Sequence, residues 1–171
     1  ISGCNVIIDP TVRIIVQAGK QLNITNGTTQ SHLYACTKMW DGITIEGSTL
    51  FGNGLLRINN NTLIEDAEHA VYIPNTSTGN FRIQNSTFNK NWIHILIDHA
   101  PGSQYVGSSS VDYSNFFCKN LTTNVYSNLI APHSTSRTFQ AISYKSAGAG
   151  PYMTIGSGNV VENADVGIYN Y

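Results

Sequence analysis

An all-β solenoid, a parallel β-helix of about 24 residues per coil, is what this 171-residue sequence predicts, and three observations predict it. The first is a repeat: Ile64 to Ile73 is rewritten as Phe88 to Ile97 at an offset of 24, with apolar or small residues coinciding at most positions. The lead-ins Arg57-Ile58-Asn59 and Arg82-Ile83-Gln84 agree as well, and a third copy, Val161 to Tyr169, follows the first by 97 residues, close to four such periods. The second is what fills the period: runs with two-residue alternation, such as Leu56-x-Ile58 and Val71-x-Ile73, separated by Asn, Gly, Ser and Thr. Such runs are strands with turns between them. The third is the length of the unit. A propeller blade would need about 40 residues, and no window of about a dozen keeps a helical face. Three short strands and three turns in one period make one rung of a solenoid. Each strand pairs with its equivalent about 4.8 Å away, because a single unit cannot bury its apolar face alone.

The elements follow in chain order. Arg13 to Val16 is a strand, Gln17 to Lys20 a turn in which Gly19 supplies a positive φ, and Leu22-x-Ile24 a second strand before the turn at Asn26-Gly27. Thr29 to Thr37 reads as a loop ending near Cys36. Met39 to Ile45 then matches Ala67 to Ile73 at an offset of 28, and Gly52-Asn53-Gly54 turns into the two clearest copies. After Ile97 the register blurs. Residues 98 to 103 read as a loop, and Tyr113 to Asn120 recovers the pattern with Phe117 equivalent to Phe88. Residues 121 to 137 are expected to bulge outward, Phe139 to Tyr144 to return as a strand, and Ser146 to Pro151 to form a Gly-rich turn. Ile43, Val71, Ile95 and Ile168 are core positions, with Thr44, Tyr72, Leu96 and Tyr169 facing outward beside them. The last copy stops at Tyr171 with no polar cap, so an adjoining domain of the same chain is expected to cover that end.

Composition narrows the function. Charged residues make up 11% of the chain, against roughly 25% in typical domains, and the net charge is -1. A surface of neutral hydrogen-bonding groups has no field for nucleic acid, and no apolar run is long enough for a spanning helix. Neither nucleic-acid binding nor membrane insertion is expected. Three cysteines leave at least one unpaired. A Cys4 to Cys36 bridge is conceivable, while the absence of C-x-x-C or H-x-x-x-H pairs argues against a metal site, and no cofactor is expected. Six N-x-[ST] sequons are as many as chance supplies in so Asn-rich a chain.

The runs Ile14 to Ile24 and Cys36 to Ile45 resemble the start of the pectin-lyase-like, right-handed β-helix regions of large secreted surface proteins, notably those that Bacteroidota export by type IX secretion. The resemblance covers about residues 12 to 97. It implies secretion or cell-surface residence, and residues 1 to 171 as a single β-helix segment of a longer multidomain chain. No C-terminal sorting domain is recognisable. Many members of the family are enzymes on acidic polysaccharides, yet the Asn-Thr-Asp, Asp-Asp, Gly-His and Arg-Ile-Lys motifs of its polygalacturonase-like members are missing.

Candidate chemistry is correspondingly sparse. The column of Glu65 holds Asn89, Cys118 and Glu162, that of Asp66 holds Lys90, Lys119 and Asn163, and neither puts two acids on neighbouring rungs. At the offset of 28, Asp41 falls beside His69, an acid and imidazole pair that Glu68 could support; these three are the weak catalytic candidates. Asn91 and Asn120 share a column and are expected to form an asparagine ladder. Trp40 and Trp92 flank Glu68 one rung to each side, which would place two indoles about 9.6 Å apart for stacking on alternate sugars. With Tyr72 and Tyr169 they are the candidate ligand-binding residues; the competing expectation is that each Trp seals a corner of the core. The function expected is a structural or adhesive module that binds polysaccharide or glycan. The alternative is a polysaccharide lyase or glycoside hydrolase whose active site lies partly outside the segment.

Overall fold

The computed structural model of the chain describes residues 1–48, 50–98, 108–145 and 153–170. The loop expected at 98 to 103 falls outside them from residue 99 on, and so does the Gly-rich turn at 146 to 151. Among the described residues there is no helix; the strands stack as a parallel β-solenoid of about 5 turns, roughly 28 residues apart.

Each coil visits three sheets. The front sheet has six strands, Arg13–Val16, Trp40–Ile45, Ala67–Ile73, Ile93–Asp98, Thr138–Lys145 and Ala164–Asn170, every neighbouring pair parallel. The back sheet holds Gln21–Thr25, Leu55–Asn59, Asn80–Gln84, Ser110–Asp112 and Thr154–Ile155. The side sheet holds Asn5–Ile7, His32–Tyr34, Leu63–Glu65, Thr87–Asn89, Asn115–Phe117 and Val160–Val161. Parallel strands align equivalent side chains in columns, so alternation in one rung is repeated in the next. Val71 pairs Ile95 and Ile73 pairs Ile97, as the repeat requires. Inward columns such as Ile43, Val71, Ile95 and Ile142, and Leu33, Ile64, Phe88 and Phe116, form one continuous core. Burying each such side chain contributes about 1.5–3 kcal/mol relative to leaving it exposed. Ile155, Val161 and Ile168 continue these columns but are 37%, 37% and 55% exposed, because their strands have a neighbour on one side only.

Two corners are built from polar residues. Where the back sheet turns into the side sheet, Ser31, Thr62, Ser86, Ser114 and Asn159 occupy one column just before the side strands. The first four are buried, and their hydroxyls take up backbone groups the turn would orphan: Ser86 N–H donates to Ser114 Oγ, which itself donates to the Asp112 carbonyl. Ser114 N–H in turn donates to Asn159 Oδ1. Buried backbone polar groups are nearly always paired, and here a side-chain ladder pairs them. Left-handed residues make the bend, Asn85 and Tyr113 at this corner, Asp66, Lys90 and Asn163 at the corner between side and front sheets.

The structure corrects the register in four places. Residues 32–34, expected in a loop, are a side-sheet strand pairing with 5–7 and with 63–64. Phe116, not Phe117, is the equivalent of Phe88, and the two rings stack at 5.4 Å. The 97 residues from Ile64 to Val161 span three coils, not four, because one is lengthened by residues 119–137. The asparagine ladder does not form: Asn91 is buried, its amide spent on Ala67 N–H, the Ile64 carbonyl and His94, while exposed Asn120 caps the turn at Thr122 and Thr123.

Residues 119–137 form a strap. Lys119–Asn120 and Val125–Tyr126 pair as an antiparallel ribbon, and the chain then crosses back over earlier rungs. Leu129 and Ile130 pack with Met39, Cys118 and Trp92, and Met39 N–H donates to the Ala131 carbonyl at 2.8 Å.

Candidate functional site

The front sheet carries a groove of about 310 Å³ lined by Arg13, Asp41, Glu68, His69, Tyr72 and Leu96. The three weak catalytic candidates therefore meet in one place, but not as a pair of Asp41 and His69. Against Trp40–Ile45 the register is 27 up to His69 and 28 from Val71, so Ala70 is the extra residue of a bulge. Asp41 thus shares its column with Glu68. Gly42, at φ +99, sits opposite the bulge, and a Cβ there would collide with the His69 carbonyl oxygen. The rest of the column is Trp92, Phe139 and Asp165 on successive rungs.

Asp41 and Glu68 each have a partner other than the expected one. Arg13 donates to Asp41 at 2.9 Å, and Glu68 bonds His133 of the strap at 2.7 Å. His69 lies beside the Tyr72 ring, centroids 5.5 Å apart. Burial lowers the His69 pKa despite the charges of Glu68 and Asp41, so the imidazole is neutral at pH 7. Burial raises that of Tyr72, with Asp98 adding to it. The groove offers ion pairs at its edges and an apolar floor of Tyr72 and Leu96.

The two indoles do not form a sugar platform. Trp40 stands in the column of Ala67, one position from the expected one, and points inward: it is 0% exposed, and its N–H donates to the Glu65 carbonyl at 2.8 Å. The small Ala67 on the next rung leaves room for it. Trp92 does lie in the column of Glu68, but both of its faces are covered, by His133 at 3.8 Å and by Phe139 at 4.9 Å. Tyr72 lines the groove, and Tyr169 lies in the same outward column three rungs on, about 14 Å away.

A second cluster, on the side sheet, escaped the reading of the sequence. His32 and Glu65 are hydrogen-bonded at 2.7 Å, and the other Glu65 oxygen accepts from Asn89. Lys90 Nζ lies 3.6 Å from Glu65 and 3.9 Å from Asp66. Lys119 Nζ sits over the Phe117 ring at 3.8 Å and donates to Glu162 at 2.6 Å. Burial alone would raise the Glu65 carboxyl, but the His32 and Asn89 bonds and the Lys90 charge outweigh it and hold it below the usual range. Asp66 is pushed up to about 6 by burial, against the pull of Lys90. Of these, His32, Glu65, Lys90 and Lys119 line a groove of about 520 Å³ walled on its far side by the strap. The signal was present as Lys90 in the column of Asp66, but His32, the partner of Glu65, lay in a stretch read as loop.

His94 is fully buried and belongs to neither groove. Its Nδ1 accepts from the Asn91 amide at 3.0 Å and its Nε2 faces Thr138 Oγ1 at 3.3 Å, where the hydroxyl proton is spent on the Asn91 carbonyl. That arrangement selects the neutral Nε2–H tautomer. Cys4 and Cys36 are free and exposed; Cys118 is buried, which pushes its thiol up to about 11. Among the described residues no three His, Cys, Asp or Glu side chains converge as metal ligands would.

The fold and its grooves define a parallel β-solenoid with a mixed acid, imidazole and tyrosine groove on its front sheet and a groove lined by lysine, glutamate and histidine on its side sheet. No family model, no curated protein and no solved structure matches the chain.

Proposed function

We propose that the chain is a secreted or cell-surface β-solenoid module, structural or adhesive in role, that binds glycan on its front sheet. The observation that carries this reading is the composition of the front groove. Tyr72 and Leu96 offer an apolar surface to a sugar ring, flanked by the Arg13–Asp41 and Glu68–His133 pairs as donors and acceptors for hydroxyls. The resemblance of residues 12 to 97 to pectin-lyase-like regions of type IX secreted surface proteins supports the location. An oligosaccharide array on the 171-residue chain tests the reading, followed by calorimetry on any hit. Tyr72→Ala weakens a true ligand at least tenfold with little change in melting temperature. Absence of any hit, or a hit indifferent to Tyr72→Ala, refutes it.

A second reading rests on one specific observation. Asp41 and Glu68 occupy neighbouring rungs of one column, a backbone spacing of about 4.8 Å, and retaining glycosidases hold their two carboxyls about 5–5.5 Å apart. Under this reading the groove hydrolyses the glycan it binds. New reducing ends that disappear in Glu68→Gln and Asp41→Asn support hydrolysis; binding without turnover leaves the module reading.

A further inference from the structure

We propose that Lys90 and Asp66 join covalently once the chain has folded, through an isopeptide bond between Lys90 Nζ and the Asp66 carboxyl carbon, with Glu65 as the proton carrier. The bond staples one coil of the solenoid to the next. It suits a structural or adhesive module but does not rest on anything the front groove binds.

Parallel stacking supplies the first condition, proximity. Glu65 pairs Asn89, so Asp66 and Lys90 stand at the same corner position on consecutive rungs, both left-handed, at φ 60 and 53. Lys90 Nζ lies 3.9 Å from Asp66 Oδ1 and 3.6 Å from Glu65 Oε1. Reacting atoms in a near-attack pair are about 3–3.5 Å apart, and no hydrogen bond among the described residues holds the ammonium back from that last step. Well-oriented pairs reach effective molarities of about 10⁵–10⁸ M, which is what lets an amine and an acid condense in water.

The second condition is a carboxyl that gives up an oxygen beside one that takes a proton. Asp66 is 4% exposed, and its Oδ1 has no hydrogen-bond partner. Buried oxygens are nearly always paired, so this one stands out. Burial raises the Asp66 pKa to about 6 against the pull of Lys90, which keeps its neutral, electrophilic form within reach of neutral pH. Glu65 is nearer to the ammonium but has the other role. Despite its burial, the bonds from His32 and Asn89 and the Lys90 charge keep it ionised, with both oxygens held. Two adjacent carboxyls pushed in opposite directions divide into an acid and a base.

The step balances within the chain. Glu65 takes a proton from the Lys90 ammonium, and the freed lone pair attacks the Asp66 carboxyl carbon to form the C–N bond. The C–Oδ1 bond breaks and Oδ1 leaves as water. Counted from the ion pair, two of the three ammonium protons end on that oxygen, one of them passed over by Glu65. An ammonium and a carboxylate become one secondary amide and one water, with no co-reactant. The corner thereby exchanges two charges and an orphan oxygen for a neutral amide, while Glu65 keeps His32 and Asn89.

Mass spectrometry of the 171-residue chain tests this, after several days folded at pH 6, where Asp66 is half protonated, and then reduction and denaturation. The wild type is lighter than its sequence by one water. Trypsin leaves 58–82 joined to 83–119, uncut after Lys90, and fragmentation places the link on Asp66. Lys90→Arg, which keeps the charge, and Asp66→Ala show no loss. Glu65→Gln slows closure at least about tenfold. Wild type held in urea at the same pH also keeps its full mass, because the fold supplies the proximity. Full mass in the folded wild type overturns the proposal. So does a loss of water that persists in Lys90→Arg, that maps to a succinimide at Asp41-Gly42, or that links Lys90 to Glu65.

Discussion

Acidification isolates the contribution of one residue, His94. In the fold its pKa is lowered to about 3 by complete burial, against 6.5 for the free side chain. A base with a depressed pKa costs nothing above the unfolded value. As pH falls through 6.5 the unfolded chain takes up a proton that the fold refuses, and the penalty grows until the folded pKa is reached. At about 1.4 kcal/mol per unit, the loss between pH 7 and pH 5 is about 2 kcal/mol. Protonation of Nδ1 would also point a new N–H at the Asn91 amide, already a donor. Asp66 opposes this. Its folded pKa of about 6 lies above the free value of 3.8, so protonation on the way to pH 5 favours the fold by about 1 kcal/mol. His69, also lowered, acts with His94. The comparison to make is urea unfolding of wild type and His94→Gln at pH 7, 6 and 5, with m-values checked for constancy. The variant is less stable at pH 7 by about 1–3 kcal/mol. On acidification the gap closes by about 2 kcal/mol, because only the wild type bears the penalty. Parallel pH profiles for the two proteins would refute the argument, since they would mean that His94 titrates normally in the fold.

Further outcomes follow from the packing. Gly42→Ala forces a Cβ against the His69 carbonyl at a left-handed position; the expected cost of more than about 2 kcal/mol, read by thermal melts, would be absent if the bulge relaxed freely. Trp40→Ala removes a buried indole and costs about 3–5 kcal/mol. Trp92→Ala costs less but unseats the strap, so limited proteolysis should cut within 119–137 faster in that variant than in wild type. Ser114→Ala leaves the Ser86 N–H without its acceptor inside the corner and costs about 1–3 kcal/mol, whereas Ser136→Ala, exposed on the strap, is neutral within about 0.5 kcal/mol by the same melts.

The solenoid was legible because parallel stacking copies a pattern. Once Ile64 to Ile73 and Phe88 to Ile97 matched, every inward position of those rungs was fixed by alternation alone, and the pairing of Val71 with Ile95 confirms it. What alternation cannot supply is a change of count. One extra residue at Ala70 moves Asp41 from the column of His69 to that of Glu68, and nothing in composition announces a single-residue bulge. The same shift puts Trp40 in the column of Ala67 and inward, the outcome of the competing expectation that the indole seals a corner of the core. His32 was hidden for a different reason. Its strand has three residues, too short to show a period, and sits among Thr, Gln and Ser that read as loop.

These failures are not scattered over the molecule. The bulge at Ala70 lies under the front groove, the strand with His32 forms one wall of the side groove, and the strap that disrupts the count after Phe117 lines the side groove and bonds Glu68 of the front groove through His133. A stacked rung needs only its periodic core, so an insertion of 119–137 or an extra residue at a bulge costs loop entropy and local twist without any gain for the sheets. The ladder between Ile93–Asp98 and Thr138–Lys145 runs in register from Ile93 to Asp98 although the strap intervenes in sequence. The strap in turn spends its own residues on the two grooves: Leu121 and Thr122 on one, His133 against Glu68 and Trp92 on the other, with Leu129 buried between as the anchor. Departures from the repeat that serve no sheet gather at the two grooves, so the period that makes the core legible is silent where the grooves are built.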